Sequence, residues 1–149
     1  MPVDALDTTT FSAAWERFFR TTRRLRGRAS SMPVSGLSLP QYHLLEPLRE
    51  RDALTVGELA EGAGVAAPTA TRMLDCLARD GHIERRHSET DRRAVLVSLT
   101  PTGRAVADAA HDEVEQFRRR VYESLEPAER EQAAALLARL AEVLEEELP

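Results

Sequence analysis

Over Val95–Leu99 the period of the apolar residues changes to two, in a chain patterned elsewhere at helical spacing. Val95, Val97 and Leu99 alternate with Leu96 and Ser98, and Ile83–His87 can pair with them across a polar loop, Ser88–Arg92. A period of two belongs to a half-buried strand, and two such runs joined by a short polar loop make a hairpin. The chain therefore has to fold around one small β-ribbon held among helices.

The helices announce their own ends. The first is expected over Thr10–Ala29, with Phe11, Trp15, Phe18, Phe19 and Leu25 at helical spacing and Arg17, Arg20, Arg23, Arg24, Arg26 and Arg28 on its other face. The segment Ser30–Leu37, with Pro33 and Gly36, reads as a loop. Ser38 opens a second helix, with Pro40 in its first turn and Gln41 completing a capping box, running through Tyr42, Leu44, Leu45 and Leu48. Thr55 and Glu58 form another capping box, for a short third helix ending near Gly62. A fourth helix, Ala67–Arg79, carries Ala70, Met73, Leu74 and Leu77 on one side, and Gly81 stands where a C-terminal cap belongs.

After the ribbon, Thr100 followed by Pro101 is an N-cap with proline at the first helical position. It opens a long fifth helix with Val106, Ala110, Val114, Phe117 and Val121 on one stripe. A sixth, from about Pro127, carries Leu136, Leu137, Leu140, Val143, Leu144 and Leu148. The expected fold is mainly α with a small β-wing: four helices, two strands, then two helices. Two short helices joined by a Gly-containing turn, the second followed by a hairpin, is the layout of a winged helix-turn-helix. The flanking helices have apolar stripes that so small a central module cannot cover, and a second copy of the chain is the simplest cover.

Charge and composition narrow the function. Residues 1–100 carry a net +1 and the remainder −6, giving −5 over 149 residues. An acidic total argues against indiscriminate coating of nucleic acid while leaving room for one focused surface. All 20 basic residues are Arg, from which no functional conclusion follows. The longest unbroken apolar run, Ala133–Ala138, falls far short of the roughly 20 residues a membrane helix needs. The N-terminus has neither the basic nor the apolar region of a secretory signal, so the expected compartment is the cytoplasm, with no membrane partner. A single cysteine excludes an internal disulfide framework.

The stretch Asp91-Arg92-Arg93-Ala94-Val95-Leu96-Val97-Ser98-Leu99-Thr100 resembles, at every fixed position, the wing signature Asp-x-Arg-x-x-x-Val-x-Leu-Thr of the MarR family of multiple-antibiotic-resistance regulators. Leu77–Arg85 is similar to the family's recognition-helix end and first wing strand, Ser38–Leu45 to its second helix, and Leu54–Ala60 to its third. The resemblance covers about residues 37–104. It implies a homodimer clasped by residues 1–36 and 101–149, with residues 37–100 as the winged DNA-binding lobe. It further implies a repressor on a palindromic double-stranded operator, released by a small phenolic or aromatic acid. One departure is Ala66-Ala67, where relatives often begin the recognition helix with Ser or Thr; that loses a cap worth about 1 kcal/mol.

Within that frame the wing tip is the leading site. An Arg at the end of a β-ribbon can enter the narrow, electronegative minor groove, which makes Arg93 the main candidate. Asp91 is expected to orient the Arg93 guanidinium through a forked ion pair. On the recognition helix Pro68, Thr69, Thr71, Arg72, Asp75 and Arg79 share the outward side; the threonines can reach phosphates or bases, and Arg72 can take guanine through O6 and N7. Arg85, Arg86 and His87 are expected beside the DNA backbone. The bland alternatives are a solvated hairpin turn and a solvated helix face.

Other residues invite other readings. Trp15, Phe18, Phe19, Arg20, Tyr42, His43 and Phe117 could line an effector pocket, although an aromatic stripe at helical spacing is as often plain core. Cys76 reads as a small, partly buried filler with no basic neighbour one helical turn away. His43, His82, His87 and His111 lack the spacing of a zinc site, though His43 and His111 could approach each other between the second and fifth helices. No metal or cofactor is expected. No nucleophile elbow, phosphate loop or metal cluster supports an enzyme. A winged-helix module that binds protein instead of DNA is the alternative, and it would need neither the wing-tip Arg nor the outward threonines.

Overall fold

The computed structural model describes residues 4–29 and 34–147. Pro33, Leu148 and the side chains of Arg26 and Arg28 lie outside the described residues. In chain order come α1 (Asp4–Ala29), α2 (Leu39–Leu45), a 3-10 turn (Glu46–Arg49), β1 (Leu54–Thr55), α3 (Val56–Ala63), α4 (Ala67–Arg79), β2 (Ile83–His87), β3 (Val95–Leu99), α5 (Pro101–Glu123) and α6 (Pro127–Glu147). One compact unit runs to His111 and a second begins at Asp112. No helix among the described residues is long and apolar enough to cross a membrane.

The caps act as the side-chain chemistry requires. Gln41 N–H donates to Ser38 Oγ at 3.3 Å while Ser38 N–H donates to Gln41 Oε1 at 2.9 Å. At α3, Thr55 N–H donates to Glu58 Oε2 at 2.8 Å and Glu58 N–H to Thr55 Oγ1 at 3.2 Å. Those bonds, led by the Thr55 backbone and then its hydroxyl, hold the Glu58 carboxyl below its ordinary pKa, with Arg51 adding a smaller pull. Gly81 follows α4 at φ 76°, the left-handed position a helix end favours for glycine.

Three boundaries differ from the sequence-based expectation. The first helix starts at Asp4, six residues before Thr10. The second does not run unbroken to Leu48, because Pro47 has no N–H to donate and its ring crowds the carbonyl one turn back; the chain tightens to a 3-10 turn at Glu46. The ribbon is not two-stranded. Leu54 and Thr55 pair with Val97 and Leu96, so the sheet order is β1-β3-β2, all antiparallel. Two residues are too few to display a period, and Thr55 also caps α3, which hid the strand.

The core lies between the helices and one face of the sheet. Leu44, Leu45, Leu48, Leu59, Leu74, Leu77 and Val97 are wholly buried, and Ala107 and Ala110 bring the first half of α5 into the same interior. Arg49 Nε meets Asp108 Oδ1 at 2.7 Å, and Arg104 donates to the Arg49 carbonyl at 3.2 Å. At the start of α5 the packing closes tightly. Thr100 N–H donates to the His82 carbonyl at 3.1 Å and Thr100 Oγ1 to the Gly81 carbonyl at 2.6 Å. Gly103 N–H in turn donates to Thr100 Oγ1 at 2.9 Å. A Cβ on Gly103 would sit 1.7 Å from the His82 carbonyl oxygen, so only glycine fits there.

The unit beginning at Asp112 is built differently. α6 buries no residue, and Phe117, Val121, Tyr122, Leu136, Leu137 and Leu144 are all exposed. Arg130 ties its turn, donating from Nε to the carbonyls of Tyr122 and Leu125 and from a terminal nitrogen to Glu123. The guanidinium thereby bonds carbonyls at and just past the end of α5, and it sits 4.7 Å over the Tyr122 ring.

Candidate nucleic-acid interface

α4 splits cleanly into two faces. Ala70, Leu74 and Leu77 are buried, while Pro68, Thr69, Thr71, Arg72, Asp75, Cys76 and Arg79 are exposed. Ala66 stands at the N-cap with no side-chain bond, so the first-turn N–H groups of α4 have no side chain over them. Thr71 Oγ1 donates back to the Ala67 carbonyl at 2.9 Å, which commits its proton and leaves its lone pairs outward. Arg72 has no ion pair or hydrogen bond among the described residues.

The wing is held by its turn. Ser88 N–H donates to the Ala94 carbonyl at 2.9 Å and Ala94 N–H to the Asp91 carbonyl at 3.0 Å. Ser88 Oγ accepts from Asp91 N–H at 3.3 Å. The expected Asp91–Arg93 ion pair is absent. Asp91 Oδ1 instead accepts the Arg93 backbone N–H at 3.0 Å, a local bond that fixes the tip and leaves the guanidinium exposed, with no ion pair among the described residues. Asp91 sets where Arg93 starts, not where its charge ends.

Arg85 and Arg86 lie on opposite faces of the sheet, because neighbouring strand residues alternate. Arg85 stands opposite buried Val97 and on the side of buried Ile83, while Arg86 stands opposite Leu96. Facing inward, Arg85 meets Asp75 of α4, its terminal nitrogen 2.7 Å from Oδ1. The two arginines therefore stand on opposite sides of the sheet.

Cys76 corrects the sequence reading twice. It is exposed, not a partly buried filler, because it follows Asp75 round to the outward side while Leu74 and Leu77 turn in. It also has a basic neighbour one turn on: an Arg79 nitrogen lies 3.9 Å from its sulfur.

The aromatic candidates other than Phe117, which is on α5, fall into two groups, one within α1 and one within α2. Trp15 packs at 4.5 Å on Phe19 and at 5.7 Å on Phe11, measured between ring centroids. Arg20 leans to Glu16 at 3.6 Å. An open groove on α1 is lined by Ala13, Ala14, Arg17, Phe18 and Thr21, and neither Trp15 nor Phe19 lines it. In α2, Tyr42 and His43 have ring centroids 5.2 Å apart. Tyr42 is wholly buried, whereas His43 is partly open.

Glu46 is the residue the sequence reading missed. Tyr42 Oη donates to its Oε1 at 2.9 Å, and His111 Nδ1 lies 3.1 Å from the same hydroxyl. A carboxylate only accepts, so the tyrosine proton goes to Glu46 and His111 Nδ1 must donate to the tyrosine oxygen. His43 Nδ1 lies 3.6 Å from the other carboxylate oxygen. His43 and His111 thus meet across Glu46 instead of meeting each other. The spacing held a signal, since Glu46 is one helical turn from both Tyr42 and His43.

The MarR family model matches residues 37–95. The HTH-type transcriptional regulator YfiV of Bacillus subtilis is 32% identical over 119 residues, spanning 80% of this chain and 74% of its own. The solved structure of a mutant MarR from E. coli complexed with operator DNA is 27% identical, covers 90% of this chain and 93% of that one, and superposes with a TM-score of 0.68. Bordetella bronchiseptica BpsR, whose structure concerns regulation of its DNA binding by 6-hydroxynicotinic acid, is 27% identical, covers 85% and 91%, and gives 0.72.

Proposed function

The chain belongs to the MarR family of transcriptional regulators, and from that premise we propose that it is a homodimer that binds a palindromic double-stranded operator in the cytoplasm and represses until a small aromatic acid releases it. Residues 37–100 read the DNA, and residues 1–36 and 101–149 pair the two copies. One observation carries the DNA reading. The Arg93 guanidinium stands, with no ion pair among the described residues, at the tip of a turn tied down by Asp91 and Ser88, in a chain whose net charge is −5. An acidic protein that holds arginines out on a tied turn is arranged for a groove. Pro68, Thr69, Thr71, Arg72 and Arg79 supply the major-groove face from α4, and Arg86 a phosphate contact beside it.

The direct experiment is binding of the purified full chain to the DNA upstream of its own coding region, followed by anisotropy at fixed salt. Binding at least about a thousandfold tighter than to a scrambled duplex is expected. Equal affinity for both would remove the operator reading.

Release is read from α1. Trp15 and Phe19 offer paired rings, Arg20 an adjacent cation, and His43 an open imidazole; Tyr42, being buried, would support such a pocket from behind. That BpsR is regulated by 6-hydroxynicotinic acid lends weight to an aromatic acid as effector. Each tenfold loss of operator affinity needs a coupling of about 1.4 kcal/mol, within reach of one pocket. Titration with salicylate and 6-hydroxynicotinate, following Trp15 fluorescence and operator binding together, tests this. Quenching with DNA release is expected; neither effect with either compound would return the rings to packing alone.

A further inference from the structure

Asp75 is the only acidic residue of α4, and it stands on the face proposed to meet phosphates. A bare carboxylate there opposes binding. Here it is engaged by Arg85, which the register of β2 turns away from the outer face and toward α4. At 2.7 Å this is the one ion pair among the described residues that joins the recognition helix to the wing. Both side chains keep substantial exposure, 50% for Asp75 and 32% for Arg85, so the pair adds little to folding stability. Its geometry has a different consequence. α4 and the wing tip are separate probes, and they can enter neighbouring grooves together only if the offset between them is fixed.

We propose that Asp75 and Arg85 are positioning residues that fix the wing against the recognition helix, so that Arg93 and the face of α4 engage the operator at once, with neither member of the pair touching DNA. This rests on the operator-binding reading above. It assigns Arg85 away from the phosphate role that its neighbour Arg86 takes, and it gives the acid on the recognition face a reason to be there.

The sign of one substitution separates this from simple electrostatics. Removing a repulsive carboxylate would tighten binding; removing a positioning group weakens it. Asp75→Asn is expected to weaken operator binding about tenfold while leaving the melting temperature nearly unchanged. Arg85→Gln should cost a similar factor, and the double variant should be no weaker than either single one. In the Asp75→Asn background, Arg93→Ala should cost less than it does in the wild type, because the wing is already out of place. The salt dependence supplies the second readout. Loss of a phosphate contact flattens the slope of log K against log salt by about one unit, whereas loss of a positioning group leaves it unchanged. Should Asp75→Asn fold poorly, the salt slope of Arg85→Gln decides alone. Tighter binding by Asp75→Asn, or a flattened slope in Arg85→Gln, overturns the proposal. Failure of the wild-type chain to prefer its operator would instead remove the reading beneath it.

Discussion

The central lobe and α6 use leucine to opposite ends. In the lobe Leu44, Leu45, Leu48, Leu59, Leu74 and Leu77 are wholly buried by the chain's own helices and sheet. On α6 Leu136 is 61% exposed and Leu137 58%, although that helix also carries leucines one turn apart. The difference is the opposing surface. α2, α3 and β2 close on α4 from several sides, while nothing among the described residues from Asp112 onward covers α6. Helical periodicity states that a face needs burial; it does not state who provides it. The lobe is complete within one chain, and on the proposed reading the α6 face is covered by a second.

The largest effect expected comes from breaking that dependence. Leu136→Glu together with Leu144→Glu places charge on the open stripe and should shift the protein from dimer to monomer. With each central interface leucine worth about 2 kcal/mol, the dimer should weaken roughly a thousandfold. Sedimentation velocity over a concentration series reads the mass. Helical circular dichroism from the lobe should persist, since its buried leucines are untouched. An unchanged dimer would place the pairing surface elsewhere; collapse of the whole fold would show that the lobe is less self-sufficient than its burial suggests.

Next is the seam at which the lobe passes into α5. Gly103→Ala puts a methyl carbon where the His82 carbonyl already stands, 1.7 Å away on an unrelaxed backbone. The neighbour is backbone, so relief requires moving α5 or the end of the recognition helix. A loss of about 3 kcal/mol in urea unfolding is expected. Because Thr100 bonds the same carbonyl, operator binding should fall with it. A variant as stable as the wild type would mean that the joint is looser than its hydrogen bonds imply.

These two regions also mark what the sequence could express. Local signals were readable: Ser38 with Gln41, Thr55 with Glu58, Gly81 past α4, and the pairing of Ile83–His87 with Val95–Leu99 all stand in the structure as their chemistry dictates. What was not readable depended on where distant elements meet. β1 exists only because β3 runs beside Leu54 and Thr55. The His43–Glu46–His111 arrangement brings residues far apart in the chain to one carboxylate. Cys76 was misjudged for a simpler reason, since one residue on a helix turns about 100° and buried Leu77 is no guide to its predecessor. At the candidate interface, Arg85 and Arg86 are adjacent in sequence but stand on opposite faces, because the register of β2 on β3 sets the side each one takes.

Within the lobe, the Arg93 side chain at the wing tip is one that no internal contact among the described residues explains. Arg93→Ala removes its exposed guanidinium and should leave the unfolding midpoint in place. Operator affinity should drop by about 1–3 kcal/mol, as for one good groove contact. Asp91→Ala should give a smaller loss, because it frees the Arg93 N–H without deleting the charge. Wild-type affinity in Arg93→Ala at matched salt would move DNA recognition off the wing and onto α4 alone.

The smallest expected effect tests the lobe's self-sufficiency at one helix start. Glu58 closes the α3 cap by accepting from the Thr55 backbone and hydroxyl, and those bonds lower its pKa. A carboxyl whose folded pKa lies below its unfolded value contributes stability that is fully present above the unfolded pKa. That contribution is lost as pH falls through the folded one. The wild type should therefore lose stability on acidification below the ordinary carboxylate range, and Glu58→Gln should lose less of it, its amide oxygen still able to accept from Thr55 N–H. Urea melts of both proteins from neutral pH down to about 3 would compare the slopes. The group is exposed, so the difference should be slight and should shrink as salt screens Arg51. Parallel slopes in the two proteins would mean that the cap holds α3 through Thr55 Oγ1 and the Glu58 backbone alone, with the carboxylate a bystander.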